Sequence, residues 1–91
     1  MIELIDLLNG INVLTTVNND PNLSINKIEF DSRKVENGDL FVATKGSQSD
    51  GHNYIDIAIE KSASAIVCED LPKETKENIC YLEVSNSAKT L

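Results

Sequence analysis

Apolar residues along this chain fall into short clusters whose spacing changes from one to the next, and that spacing predicts the elements. Ile2, Leu4, Ile5, Leu7 and Leu8 lie at steps that build one apolar helical face, and Asn9-Gly10 supplies a stop. A short docking helix should open the chain. Val13 to Val17 is rich in β-branched residues and precedes Asn18-Asn19-Asp20-Pro21-Asn22, which predicts a short edge strand and then a loop. A second strand begins near Ile25, with Ile28 and Phe30 on one face. It should end at Asp31, because Asp31 and Ser32 carry oxygens that compete with ladder bonding. Glu36-Asn37-Gly38-Asp39 reads as a hairpin turn, since Asn-Gly tolerates the positive φ of a tight reversal. Leu40 to Ala43 is then a buried strand.

The period changes after Asn53. Tyr54, Ile55, Ala58, Ile59 and Ala63 recur at three- and four-residue steps, with Asp56, Glu60 and Lys61 opposite, as in an amphipathic helix. Ala65 to Cys68 is a continuous apolar run broken by Leu71-Pro72, the pattern of a buried parallel strand, so a βαβ unit spans residues 40 to 68. Lys73 to Asn78 is a solvated turn, and Cys80 to Val84 one more strand. Ser85-Asn86-Ser87 can cap a helix starting near Ala88, so the chain looks cut about one turn into it. The expected fold class is α/β, a small mixed sheet with flanking helices.

Length limits this to one core, since a chain of 91 residues buries only ~60–65% of its unfolded surface. With no Trp and few Phe and Tyr, that core must be Ile, Leu, Val and Ala. The net charge of −7 opposes a hold on nucleic acid, which needs clustered Lys and Arg to release counterions. Lys27, Arg33, Lys34 and Lys45 nevertheless gather in one stretch, where a local positive field would suit a small anion. Cys68 and Cys80 lack the close pairing of a zinc or redox motif and read as core thiols. The first residues carry acids and no basic flank, so no signal peptide or membrane span is expected, and the cytoplasm is the default compartment.

The candidate chemistry lies between Phe30 and His52. Gly46 and Gly51, separated by four residues before a helix, imitate a P-loop, but His52 and Asn53 stand where Lys and Ser or Thr must meet phosphate and magnesium. ATP binding of that kind is excluded. What remains is a small-residue loop, Ser47-Gln48-Ser49, ahead of a helix start whose dipole favours an anion by ~0.3–1 kcal/mol. The plainer alternative is that Ser49 or Asp50 caps the helix and Gly51 permits the turn. Asp31-Ser32-Arg33 offers a carboxylate, a hydroxyl and a guanidinium to a nucleobase or phosphate. An Asp31–Arg33 pair that only braces the turn fits equally, which leaves Ser32 the better contact. His52, the single histidine, has no metal-ligand or triad company and is suited to fixing the loop through its ring. Nothing in the chain supplies a nucleophile, a metal cage or an acid/base pair.

The run Phe30-Asp31-Ser32-Arg33-Lys34-Val35, with Gly38-Asp39-Leu40-Phe41-Val42-Ala43, Gly46, Asp50-Gly51-His52 and Ala58-Ile59-Glu60-Lys61, resembles the N-terminal domain of Mur ligases, which build the peptide stem of peptidoglycan. The likeness runs from about Ile25 to Leu91 and implies a MurE/MurF N-terminal-domain-like fold occupying residues 1–91. Val67-Cys68-Glu69 and Val84-Ser85-Asn86-Ser87 look more like the MurE type, which adds meso-diaminopimelate or L-lysine to UDP-N-acetylmuramoyl-L-alanyl-D-glutamate, than the MurF type, which adds D-alanyl-D-alanine. The resemblance assigns contacts with the UDP moiety to Phe30, Ser32, Ser47, Gln48 and Ser49. Asp31, Arg33, Gly46 and His52 stand next to them. Ser47-Gln48-Ser49 departs from the His-Gln-Ala of some relatives, so Gln48 and the loop backbone carry that assignment best. In such ligases ATP and magnesium are held by a central domain with a Gly-Thr-Asn-Gly-Lys-Thr loop, and a C-terminal domain selects the amino acid. The resemblance therefore implies that this stretch positions substrate for domains joined to it in cis and is inactive alone. A noncatalytic interaction module using the acidic surface is the alternative of a different class.

Overall fold

The computed structural model describes residues 2–7, 13–18, 23–44 and 51–85. Gly46, Ser47, Gln48 and Ser49, the Asn9-Gly10 stop, the caps at Ser49 or Asp50 and the helix expected near Ala88 all lie outside the described residues.

Five strands form the main sheet: β2 (Val13–Val17), β4 (Ile28–Glu29), β5 (Leu40–Val42), β6 (Ala65–Cys68) and β7 (Cys80–Val84), in the order β2-β7-β6-β5-β4. β4 to β7 run parallel, and β2 closes one edge antiparallel to β7. A two-stranded antiparallel ribbon joins β1 (Ile2–Glu3) to β3 (Ser24–Ile25). The mixed α/β class and the βαβ unit over 40 to 68 are as the sequence predicts.

Alternation along the buried strands sorts the core into two layers. Phe41, Ile66, Cys68 and Tyr81 point to one face, where they pack with Val35, Ile55, Ala58 and Ala63. Leu40, Val42, Ala65, Val67, Cys80, Leu82 and Val84 point to the other, covered by Leu4 and Ile25 from the opening segments. Strands covered on both sides have no reason to alternate in polarity, and β5 and β6 are apolar throughout. Cys68 and Cys80 are buried free thiols, and they sit in opposite layers. Burial, then the nearby Glu83 and Asp70 carboxylates, push the Cys68 thiol up to about 12.

Four local expectations are corrected. The opening helix is only Leu4–Leu7 (α1), because Ile2 and Glu3 pair with β3 instead. The strand expected from Ile25 to Phe30 is split, Ile25 serving the ribbon and Ile28–Glu29 the main sheet. The hairpin is absent: β4 and β5 are parallel, with Ile28 opposite Leu40. A 3-10 turn at Ser32–Lys34 and the Glu36–Asp39 turn together carry the chain back to the start of β4. Gly38, at φ +88°, makes the positive-φ bend that the sequence predicts there. The amphipathic helix is likewise shorter, a 3-10 turn at Gly51–Tyr54 followed by α2 (Ile55–Glu60).

Asp39 explains the parallel crossover. Its carboxylate is fully buried and accepts hydrogen bonds from Lys27 Nζ, from the Glu36 N–H at 2.7 Å and from Asn26 Nδ2 at 3.3 Å. Burial pushes the carboxyl up, but these three donors outweigh it and hold Asp39 below its ordinary value. Lys27 also lies 3.6 Å from Glu29 and 3.4 Å from Glu36, and its hydrogen bond to Asp39, above all, raises its pKa. The local positive field expected of Lys27 is therefore spent within the fold.

Candidate functional site

Parallel strands leave the chain ends of β4 and β5 at the same edge of the sheet, and open α/β sheets bind ligands beyond their carboxyl ends. A cleft of about 560 Å³ lies there. One wall is Phe30, Asp31, Ser32 and Arg33, following β4; the opposite wall is Thr44, Gly51, Tyr54 and Ile57, following β5; Phe41 lies between them. The volume is in the range of small-molecule sites.

Each wall has a local cause. Asp31 has extended backbone and caps the 3-10 turn, its Oδ1 accepting the Arg33 N–H at 2.9 Å. The same carboxylate takes Arg33 Nε at 3.1 Å and Nη2 at 2.9 Å, a bidentate pair that leaves Nη1 uncommitted to it. The Arg33 side chain, then its backbone N–H, hold the Asp31 carboxyl down to about 2. The structural alternative for Asp31 and Arg33 is thus realised, although both still face the cleft. Ser32, beside them, lines the cleft while only 6% exposed.

On the other wall, Gly51 returns the chain to the end of β5. Its N–H donates to the Thr44 carbonyl at 2.7 Å, and a Cβ there would lie 2.8 Å from Thr44 N. No side chain fits, which is why glycine stands at this close approach. His52 follows but turns away from the cleft: Nε2 accepts the N–H groups of Glu69 at 2.9 Å and Asp70 at 3.2 Å. The expected ring hydrogen bond is present but reaches the end of β6, and His52 does not line the cleft.

Among the described residues the exposed large apolar side chains are Leu14, Phe30, Tyr54 and Ile57, and the last three all line this cleft. Exposed aromatic and aliphatic surface on facing walls suits a planar ring or sugar face. Tyr54, Ile57 and Thr44 escaped the sequence reading. Tyr54 was placed on the helix's core face by its spacing, yet it precedes α2 and is 40% exposed. Ile57 carried a usable signal: it is an apolar residue between Asp56 and Glu60 on the polar side of the helix.

A family model described as Mur ligase family, catalytic domain, matches residues 24–90. The chain belongs to the Mur ligase family. Among Mur ligases, it is 45% identical over 71 residues to a UDP-N-acetylmuramoyl-L-alanyl-D-glutamate--2,6-diaminopimelate ligase of Bacteroides fragilis, a match covering 78% of this chain and 15% of that protein. The protein of the same name from Phocaeicola vulgatus is 44% identical over 85 residues, 93% of this chain and 17% of that one. The chain thus spans less than a fifth of these Mur ligases. The crystal structure of MurF from Acinetobacter baumannii matches 98% of this chain and 19% of its own, with a TM-score of 0.80 at 22% identity, which shows the fold. The MurF ligase of Thermotoga maritima, solved with ADP, is 34% identical over 70% of this chain and 14% of its own, with a TM-score of 0.62.

Proposed function

We propose that this chain is the UDP-binding N-terminal domain of a MurE-type ligase and that it holds the nucleotide end of UDP-N-acetylmuramoyl-L-alanyl-D-glutamate. The observation that carries the reading is the cleft at the carboxyl ends of β4 and β5, where Phe30 and Ser32 face Tyr54 and Ile57. Phe30 and Tyr54 offer aromatic surface to the base, Ser32 a hydroxyl, and Arg33 the Nη1 group that Asp31 does not use. Gln48 and the backbone of residues 46–49, which the resemblance to Mur ligases adds to the site, lie outside the described residues.

ATP and magnesium belong to the whole ligase rather than to these residues. No Lys follows Gly51, and among the described residues no three His, Cys, Asp or Glu side chains gather to hold a metal. The chain alone is accordingly proposed to be inactive, acting with further Mur ligase domains in cis. Among the described residues no helix is long and apolar enough to cross a membrane, and the proposed compartment is the cytoplasm.

Two or three charge-assisted hydrogen bonds of ~1.5–3 kcal/mol each, less the cost of association, give micromolar to millimolar affinity for UDP. An NMR titration with UDP or the UDP-linked muramoyl peptide tests this. Shifts confined to Phe30–Arg33, residues 46–52 and Tyr54 are expected, and no shift at millimolar ligand would sink the reading. A MurF-type parent is the second reading, favoured by the MurF structures that share the fold. Assaying the parent ligase with diaminopimelate, L-lysine and D-alanyl-D-alanine separates the two.

A further inference from the structure

His52 lies outside the cleft but between two residues that line it, Gly51 and Tyr54, on one 3-10 turn. Its ring crosses from the end of β5 to the end of β6, where Nε2 receives two backbone donors, Glu69 N–H and Asp70 N–H. Those groups lie just past the last residue of β6, Cys68. The turn is therefore pinned at two points on neighbouring strands. Gly51 ties it to β5 through the Thr44 carbonyl, with no space for a side chain between them. The Gly51–Thr44 contact holds one end of the turn, and His52 adds a second tie, to the neighbouring strand. Ile55 and Ala58 bury the following helix from below but do not reach the cleft rim.

We propose that His52 is a positioning residue for the nucleotide cleft, acting through the acceptor at Nε2. By clasping the end of β6 it sets the wall that presents Tyr54 and holds Gly51 in place against Thr44. The inference rests on the cleft being a nucleotide site, and it adds a residue that touches no ligand.

His52→Phe keeps a ring and removes the acceptor, whereas His52→Gln returns an acceptor oxygen at a similar reach from the backbone. Both are expected to fold, with wild-type far-UV circular dichroism; His52→Phe, which leaves the Glu69 N–H without its acceptor, should lower the urea midpoint modestly, and His52→Gln should not. By NMR titration, UDP affinity should fall at least fivefold in His52→Phe and stay within twofold of wild type in His52→Gln. Exchange of the Gly51 amide should accelerate in the first and not in the second. Unchanged affinity in His52→Phe, or an equal loss in both variants, would overturn the proposal. If the wild type itself gives no UDP shifts, the nucleotide reading fails instead. Amide exchange then decides the clasp, and a Gly51 rate unaltered by His52→Phe removes it. Should His52→Phe not fold, His52→Ala takes its place with the same two readouts.

Discussion

Two aspartates bracket the 3-10 turn that begins the cleft, and each is paired with a cation, yet they do different work. Asp39 is fully buried and gathers Lys27, Asn26 and the Glu36 N–H around one carboxylate. Asp31 lies at the cleft rim and grips Arg33, whose side chain is 85% exposed. A carboxylate out of water must keep every partner or the fold suffers, whereas one at the surface contributes little to stability and is left to orient its neighbour. Burial, not the ion pair itself, separates the residue that holds the crossover from the residue that shapes the site.

The sharpest way to break this contrast is Asp39→Ala. It strands the Glu36 N–H and leaves Lys27 without its closest partner, and because Lys27 is partly exposed the loss should be about 2–3 kcal/mol. Urea unfolding measures it; a loss no larger than that of Asp31→Ala would erase the distinction. Acid sharpens it further. Asp39 is depressed below its ordinary 3.8, so its stabilisation is complete above that value and is lost as pH falls through the lower folded value. Asp31, held at about 2, acts with the same sign between 3.8 and 2, but from the surface. Asp39→Asn should therefore flatten the decline of the urea midpoint below pH 4, and Asp31→Asn should change it far less.

Ser32→Ala tests the other side of the comparison. Loss of one hydrogen bond of about 0.5–1.5 kcal/mol predicts UDP binding weaker by roughly 3- to 10-fold, with the urea midpoint little changed. The smallest effect is at Ser62, which has φ +73° just past α2 and whose carbonyl accepts the Gly38 N–H at 3.0 Å, beneath the Asp39 turn. Ser62→Gly should relieve the left-handed backbone and stabilise by about 0.5 kcal/mol, leaving UDP affinity untouched. A change in affinity would mean that the two regions are coupled.

The apolar runs of β5, β6 and β7 were legible because a strand covered on both faces must be apolar at every position. The edge character of β2 and the core place of both cysteines followed from the same pattern. Asp39 was not legible: Glu-Asn-Gly-Asp has the composition of a solvated reversal, and only the contacts of Lys27 and Ser64 across the sheet show it to be interior. The parallel direction of β4 was hidden for a similar reason, since Asn37-Gly38 reports a bend but not which strand receives the chain. Within the cleft, Ser32 was legible as part of a strand end rich in side-chain oxygens, whereas Phe30 came only with the resemblance. Tyr54 did not, because helical spacing continues through the 3-10 turn that precedes α2 and assigns it to the wrong face.

The place of β7 has a bearing on how the molecule is made. Among the described residues it is the last strand in sequence, yet it lies inside the sheet, between β6 and β2, and it carries the fully buried Tyr81 and Leu82. On a ribosome, β2 emerges early and must wait for residues 80–84 before it has a partner, a long loop closure of the kind that slows folding. Until then the β6 edge that receives β7 stays open, and the core layers lack Tyr81 on one face and Cys80, Leu82 and Val84 on the other. Translation of this segment should thus release a cooperative step rather than extend a structure already formed.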